Sequence, residues 1–430
     1  MNEPIRVRKF GGTSVGTVRG LRNTIAILEQ AEEEIQWVVV SACAGITDQL
    51  EQLAHRAAFG NEEEWQSMLD SIQQHHQMLL HHVLSAEEFA TVWQALQPWF
   101  HQLHRLAQGV AYLRELTERQ LAAFVAFGEL LSSTLIAAIL EYRGADVQWV
   151  DARTLLRTRP DRWIEAALQW ELSQQQVRQF WTHHRDPSAR IFVTQGYIAR
   201  NEQGHTTVFG RGGSDYSAAV FGALLQAPVI EIWTDVPGIL TADPQIVPEA
   251  QPLPQLSFTT MRRMALFGAK VLHPDTLGPA EQARIPVYIR STLDPAAPGT
   301  EIRAQTQWNV PALFALALRP EQPLHYGTAV TQEGTPGWLL QQYPDGTVVV
   351  GGQGVSAHVC DVVTCFGSSL TANVLQRIFE RLADLPVSFV QMSAEFDVCV
   401  LGVPAALGET VVQRLHPLCL QSLEQQLWQE

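Results

Sequence analysis

Short runs in which nearly every position is apolar alternate along this chain with longer amphipathic segments. Arg6 to Phe10 predicts a short strand, with GGTSVG (Gly11 to Gly16) directly after it and an amphipathic helix over about Val18 to Glu32. Ile35 to Val40 is nearly continuous in apolar residues; it ends in SACAGIT (Ser41 to Thr47) and leads into a helix from Asp48. Val147 to Val150, Arg190 to Thr194, Val229 to Trp233 and Ile285 to Ser291 repeat the strand pattern. Strands apolar on both faces belong inside a parallel sheet. The expected fold class is therefore α/β, with small and hydroxyl residues gathered at the C-terminal edge of the sheet, where ligands of such sheets bind.

Between these units, residues 51 to 120 are rich in Gln, Glu, His, Leu and Ala and poor in Gly, which predicts a helical insertion. The pairs His75, His76 and His81, His82 span different helix faces and lack Cys or carboxylate partners at close helical spacing, so no metal site is expected. Leu121 to Glu141 predicts another helix, with Glu129 in its first turn after Gly128. The segment YIAR, NEQG, HTTVF (Tyr197 to Phe209) reads as a hairpin. From Ile285 to Ser291 the sheet is expected to close.

The chain has 430 residues, enough for two or three domains, and 46% of them are apolar. Its net charge is −15 with scattered basic residues, which argues against nucleic acid or an anionic membrane as partner. The five cysteines form no CxxC pair and sit mostly in apolar runs, as expected of buried thiols in a reducing compartment. The N-terminus lacks an apolar leader and no uninterrupted apolar run reaches membrane-span length, so a cytoplasmic location is expected.

The chemistry concentrates in VFGRGGSDYSAA, Val208 to Ala219. Gly210, Gly212 and Gly213 let backbone N–H groups converge on an anion, and a helix starting near Ser214 or Asp215 adds its positive dipole end. Arg211 offers a fork for a carboxylate or phosphate. Helix capping by Ser214 and Asp215 explains part of the same pattern without a ligand. Lys9 precedes Gly11 and Gly12 in a strand–Gly loop–helix unit that is neither a P-loop nor a dinucleotide fingerprint. Thr234 and Asp235 end a strand and open a Pro- and Gly-rich loop. Lys270 is nearly the only cation in the apolar segment FGAKVLHP, which calls for an anionic partner.

Taken in order, KFGGTSVG (Lys9 to Gly16), VVVSACAGIT (Val38 to Thr47), TTVFGRGGSDYSAA (Thr206 to Ala219), EIWTDVPGILTADP (Glu231 to Pro244) and FGAKVLHPDT (Phe267 to Thr276) resemble the aspartate kinases of the amino-acid kinase family over about residues 5 to 295. The resemblance implies a three-layer α/β/α sandwich and ATP-dependent phosphorylation of the β-carboxylate of L-aspartate, with Mg2+ bridging the nucleotide phosphates. It implies Lys9, Lys270 and Asp215 as catalytic residues. Ser41, Thr47, Glu129, Arg211, Gly212, Gly213 and Ser214 would bind the amino acid, Arg211 taking the α-carboxylate and Glu129 the ammonium. Gly11, Gly12, Thr13, Ser14, Thr234, Asp235, Leu240 and Gln245 would face the nucleotide. Leu240 and Gln245 depart from the family's aromatic and arginine at these positions, which predicts weaker ATP binding. No protein metal cage is expected.

Residues 1–300 are thus expected to form the catalytic domain. Residues 301–430 resemble a reduced ACT-like regulatory and dimerisation domain, α+β in class. Its second half reads as a strand (Asp361 to Phe366), a helix (Leu370 to Leu385), two strands (Val387 to Met392, Phe396 to Val403) and a helix (Leu407 to Leu418), with Ala312 to Leu318 as a further strand. Gln322 to Ala357 holds only short β-like runs, WLLQQY and TVVVGG, so the paired ACT unit reads as eroded. Weak or absent feedback by lysine or threonine, and a homodimer or higher oligomer through this region, are the corresponding expectations. Two other readings stay open at this stage: a related kinase for another carboxylate, and a kinase-like sensor that binds amino acid or nucleotide without turnover.

Overall fold

The computed structural model describes residues 4–30, 34–269, 272–273, 275–306, 311–327, 338–343, 346–350, 358–393 and 397–427. The chain divides into two compact units, Met1–Gly238 with Asp275–Ala304, and Ile239–Pro274 with Gln305–Glu430.

The main sheet takes from the first unit β1 (Ile5–Phe10), β2 (Ile35–Val40), β3 (Val147–Val150), β4 (Ile191–Gln195), β5 (Ile230–Thr234), β6 (Val287–Ser291) and β7 (Thr300–Arg303). They lie side by side as β3-β4-β2-β1-β5-β6-β7. Every pairing is parallel except the last. The mainly parallel sheet expected from the continuous apolar runs is present, and β2 and β4 are buried at every position. The sheet does not close at Ser291, however. A short antiparallel strand, β7, adds to β6 after the DPAAPG turn, and at four residues it carries too little pattern to be read from sequence.

Register decides where the loops emerge. Phe10 is level with Val40 on one side and with Trp233 on the other, and Val40 is level with Gln195. The loops after β1, β2, β4 and β5 therefore leave the sheet together at its C-terminal edge.

Along β1 side chains alternate between faces. Arg6 and Arg8 meet Glu231 at 2.9 Å each, and Arg6 also reaches Glu34 at 2.6 Å. Burial pushes the Glu231 carboxyl up, but Arg8 and Arg6 outweigh it and hold the group below the usual carboxylate range. This network satisfies one face and leaves Lys9 to the other.

Residues 46 to 125 form the expected helical excursion: Ile46–Phe59, Glu62–Val83, Ala86–Leu113 and Glu118–Val125. Its histidines pack rather than converge. His76 is fully buried, bonds the Ile72 carbonyl through Nδ1 at 2.8 Å and lies edge-on to Phe100, while His81 stacks on Phe89. The stretch Glu118–Tyr142 is long and apolar enough to cross a membrane, which the sequence reading had not expected. Of its most apolar 18-residue window 83% is buried, and the stretch is broken at Ala126, as befits a core element.

The second unit is built on an antiparallel sheet of β8 (Ala315–Gly327), β9 (Trp338–Tyr343), β10 (Gly346–Val350), β11 (His358–Phe366), β12 (Phe389–Met392) and β13 (Val398–Pro404), ordered β9-β10-β8-β11-β13-β12. The runs WLLQQY and TVVVGG thus contribute strands to the same sheet as the better-defined half. Helices Ala372–Arg381 and Gly408–Leu427 supply apolar residues to its core, including Ile378, Leu415 and Cys419, which cluster with Val363, Cys365, Cys399 and Leu401. All five thiols are free and buried.

Residues 239–274 join this unit rather than the first. Ala242 and Val247 belong to the same apolar cluster, the Leu316 N–H donates to the Thr241 carbonyl at 2.8 Å, and the Thr241 hydroxyl meets His416 Nε2 at 2.8 Å. The compact units are therefore discontinuous in sequence, unlike the single division near residue 300 expected from the family resemblance.

Candidate active site

The site is a cleft of about 510 Å3 at the C-terminal edge of the first unit's sheet. Two loops form its floor by packing tightly on each other. The Gly11 N–H donates to the Trp233 carbonyl at 3.0 Å, and the Ala44 N–H to the Gly12 carbonyl at 3.1 Å. A Cβ on Gly12 would stand 2.9 Å from the Ala42 carbonyl oxygen, so only glycine lets the two backbones approach this far. Gly45, at φ 77°, then turns the second loop into the helix Ile46–Phe59.

The third loop carries Arg211 to Asp215. Gly212 takes φ 69° and starts the helix Gly213–Leu225, whose first-turn N–H groups have no acceptor within the helix. Gly213 lies against Tyr197, where a Cβ would meet the ring at 2.7 Å. Tyr197 itself takes the left-handed φ of 63°, an uncommon conformation for a bulky residue. Its backbone is held on both sides: its N–H donates to Ser217 Oγ at 3.0 Å, and its carbonyl accepts from the Phe209 N–H at 2.8 Å.

Two charged features face the cleft. Lys9, only 8% exposed, brings Nζ to 2.6 Å from Asp215 Oδ1 and joins the end of β1 to the start of the helix Gly213–Leu225. Glu129, 3% exposed, accepts the Ala42 N–H at Oε1 (3.1 Å), while Oε2 has no hydrogen-bond partner among the described residues. Burial pushes the Glu129 carboxyl up to about 8, against the lowering pull of the Ala42 N–H and the Lys9 charge. Arg211 is exposed in the same cleft and makes no ion pair among the described residues. A buried carboxyl and a guanidinium without an ion pair in one cleft have the chemistry to take a zwitterion, one group for an ammonium and one fork for a carboxylate.

Lys9, Gly12, Ser41, Thr47, Glu129, Arg211, Gly212, Gly213, Ser214 and Asp215 all line this cleft. Other expected site residues lie elsewhere. Gly11 caps and Thr13 lies within the short helix Gly12–Gly16, and neither lines the cleft. Ser14 is buried, with its hydroxyl 2.7 Å from Thr292 Oγ1 and 3.3 Å from the Trp233 carbonyl. Thr234 donates to Asp235 Oδ1 at 3.1 Å at the end of β5, and Asp235 is exposed. Leu240 and Gln245 belong to the second unit, where Leu240 bridges to Pro252 and the Gln245 N–H caps Asp243 Oδ1 at 2.9 Å. Lys270 lies outside the described residues.

The cleft also holds residues that sequence reasoning missed: Cys43, Asp48, Ile164, Glu165, Tyr197 and Phe209. For Tyr197 the available signal was its place directly after Gly196 and the apolar strand pattern that precedes it; for Ile164 and Glu165 there was none, because an irregular segment delivers them. Cys43 is inert here, since burial first and the Glu129 charge second push its thiol up to about 12.

Residues 4–291 match the Amino acid kinase family. The chain is 36% identical over 329 residues to the lysine-sensitive aspartokinase 3 of Escherichia coli K12, covering 74% of this chain and 68% of that protein. It is 33% identical over 442 residues to an aspartokinase of Chlamydia trachomatis, covering 95% and 97% of the two chains. The crystal structure of E. coli aspartokinase III in complex with aspartate and ADP superimposes with a TM-score of 0.80 at 29% identity, over 96% of this chain and 99% of that one. The parallel sheet, the loops gathered at its edge and the sequence match over nearly the whole length agree, and the chain belongs to the amino acid kinase family, among its aspartokinases.

Proposed function

We infer that this chain is an aspartate kinase, which transfers the γ-phosphoryl group of ATP to the side-chain carboxylate of L-aspartate and so opens synthesis of lysine, threonine and methionine. The observation that carries the substrate assignment is the bare, buried Oε2 of Glu129 in the same cleft as the unengaged Arg211. In this reading Glu129 holds the α-ammonium and Arg211 the α-carboxylate. Ser41, Thr47 and the backbone of Gly212 to Ser214 fix the remainder of the amino acid. The presence of aspartate and ADP in the E. coli relative's crystal structure supports the assignment.

The reaction needs no protein nucleophile and no proton transfer. An ionised carboxylate oxygen of aspartate bonds to the γ-phosphorus, the bond from that phosphorus to the β,γ-bridging oxygen breaks, and ADP leaves with the electron pair. What the protein supplies is alignment and compensation of negative charge on the migrating group. Lys9 serves this purpose, held in place by Asp215 at 2.6 Å. Lys270 is proposed to join it. Gly11, Gly12, Thr13, Ser14, Thr234 and Asp235 are proposed to form the nucleotide side, together with Leu240 and Gln245. Mg2+ enters with ATP as part of the substrate and shields its phosphates. Its coordination is proposed to come from phosphate oxygens and water.

The second unit is proposed to act as a reduced ACT-like module that pairs two copies of the chain, with weak or absent feedback. From residue 305 onward the described residues hold the six strands of its antiparallel sheet and two helices, Ala372–Arg381 and Gly408–Leu427, with no helix from 305 to 371. A reaction that draws on ATP and free aspartate is placed in the cytoplasm. The test is coupled ADP release with aspartate, glutamate and other dicarboxylic amino acids, the acyl phosphate being trapped as hydroxamate, repeated with lysine, threonine and both. Turnover with aspartate, little changed by the end products, is expected. Turnover confined to another acid overturns the substrate assignment, and inhibition at physiological lysine or threonine overturns the proposal on feedback.

A further inference from the structure

Away from the catalytic cleft, and sharing no lining residue with it, the first unit has two adjoining hollows of about 420 and 310 Å3 that have Arg157, Gln176 and Arg200 in common. A small sheet made by Arg157–Thr158, Ile198–Asn201 and Thr206–Val208 sets the two arginines directly opposite each other: Arg157 and Arg200 are register partners in its parallel pair. Register partners send their side chains to the same face. Two like charges so placed repel each other and destabilise the pairing. Burial and then Arg200 lower the pKa of Arg157, with Asp151 acting the other way.

Asp151 offsets this repulsion only in part, and the local carboxylates are engaged elsewhere. Asp151 is gripped by Arg153, with Nε at 2.9 Å from Oδ1 and Nη2 at 2.7 Å from Oδ2. Glu202 accepts from Gln169 Nε2 at 2.8 Å. Arg157 spends one arm on the Arg153 carbonyl and directs the other towards Gln176 Oε1 at 3.5 Å. Arg200 is exposed, packs over Gly204 and makes no ion pair among the described residues. The same hollow is walled by Trp149, Gln179 and His184, the last two delivered by a helix that widens into a π turn at Phe180–His184. Such turns are frequent at functional sites. In a chain of net charge −15, two guanidiniums that make no ion pair among the described residues, in hollows lined also by amides, aromatic rings and the already engaged Asp151 and Glu202, have the composition of an anion receptor.

We propose that Arg157 and Arg200 form a second binding site on the kinase unit, for a small molecule carrying a dianionic phosphate group that bridges the two guanidiniums. The intact protein, with aspartate and ADP saturating the catalytic cleft, is titrated with inorganic phosphate at constant ionic strength, following tryptophan fluorescence and the melting temperature. Saturable binding that raises Tm is expected. Arg200→Gln weakens it about tenfold or more, the loss of one charge-assisted contact. Arg200→Glu, which pairs with Arg157 internally, raises Tm without phosphate and abolishes the response to it. KM for aspartate stays unchanged in both variants. Absence of saturable binding, an equal phosphate response in wild type and Arg200→Glu, or succinate binding as tightly as phosphate would each overturn the proposal.

Discussion

Replacing Glu129 by Gln separates the stability of the protein from its function in opposite directions. The carboxyl is 3% exposed, and burial raises its pKa from 4.5 to about 8. With the folded-state pKa above the unfolded one, the favourable contribution is complete below pH 4.5 and is lost as the pH rises towards 8. At pH 7 the loss amounts to roughly 3 kcal/mol. Gln keeps the shape and still accepts the Ala42 N–H, but carries no charge to desolvate. Glu129→Gln should therefore be the more stable protein at pH 7, by up to roughly 3 kcal/mol, and the difference should vanish near pH 4. Urea melts at the two pH values measure this.

Activity should move the other way. The amide turns a donor towards the substrate ammonium, and breaking a buried ion pair from one side costs roughly 3–5 kcal/mol, a fall of about a hundredfold or more in kcat/KM for aspartate. The wild-type kcat/KM for aspartate should climb with pH up to about 8 as Glu129 ionises, and the variant should lack that limb. A variant that is less stable at pH 7, or one whose KM for aspartate stays within about threefold of wild type, would refute the reasoning.

Arg211→Lys should raise KM for aspartate about tenfold or more and leave kcat nearly intact, because Lys cannot fork onto a carboxylate. Asp215→Asn, which releases Lys9 from its 2.6 Å partner, should chiefly lower kcat; steady-state kinetics showing the reverse pattern would mean the loop's two ends have been assigned the wrong way round. Gly12→Ala should cost roughly 1–3 kcal/mol in a denaturant melt, because the added Cβ meets the Ala42 carbonyl oxygen at 2.9 Å and must part the two floor loops. Leu240→Tyr with Gln245→Arg should lower KM for ATP, each change contributing on the order of 1 kcal/mol, and an unchanged KM would sink the idea that these positions weaken nucleotide binding.

The sequence by itself determined the parallel sheet and the loops with which the site is built. Continuous apolar runs such as Ile35–Val40 have one stable use, inside a sheet covered on both faces, and glycines at positions 11, 12, 45 and 212 mark turns whatever the rest of the chain does. It also supplied Lys9, Glu129, Arg211 and Asp215 as chemically distinctive residues. Only tertiary structure decided what these residues meet. That Lys9 touches Asp215, 206 positions away along the chain, follows from strand register and helix placement, not from any local pattern. Tyr197, Ile164 and Glu165 enter the cleft from segments with no periodicity, and β7 is too short to announce itself. The segment 239–274 leaves the first unit because Ala242 and Val247 find their apolar neighbours in the second, and local propensity carries no information about which of two cores a side chain will join. The same holds for Arg157 and Arg200: each is unremarked in its own segment, and a pairing of two residues with two turns the two into a receptor.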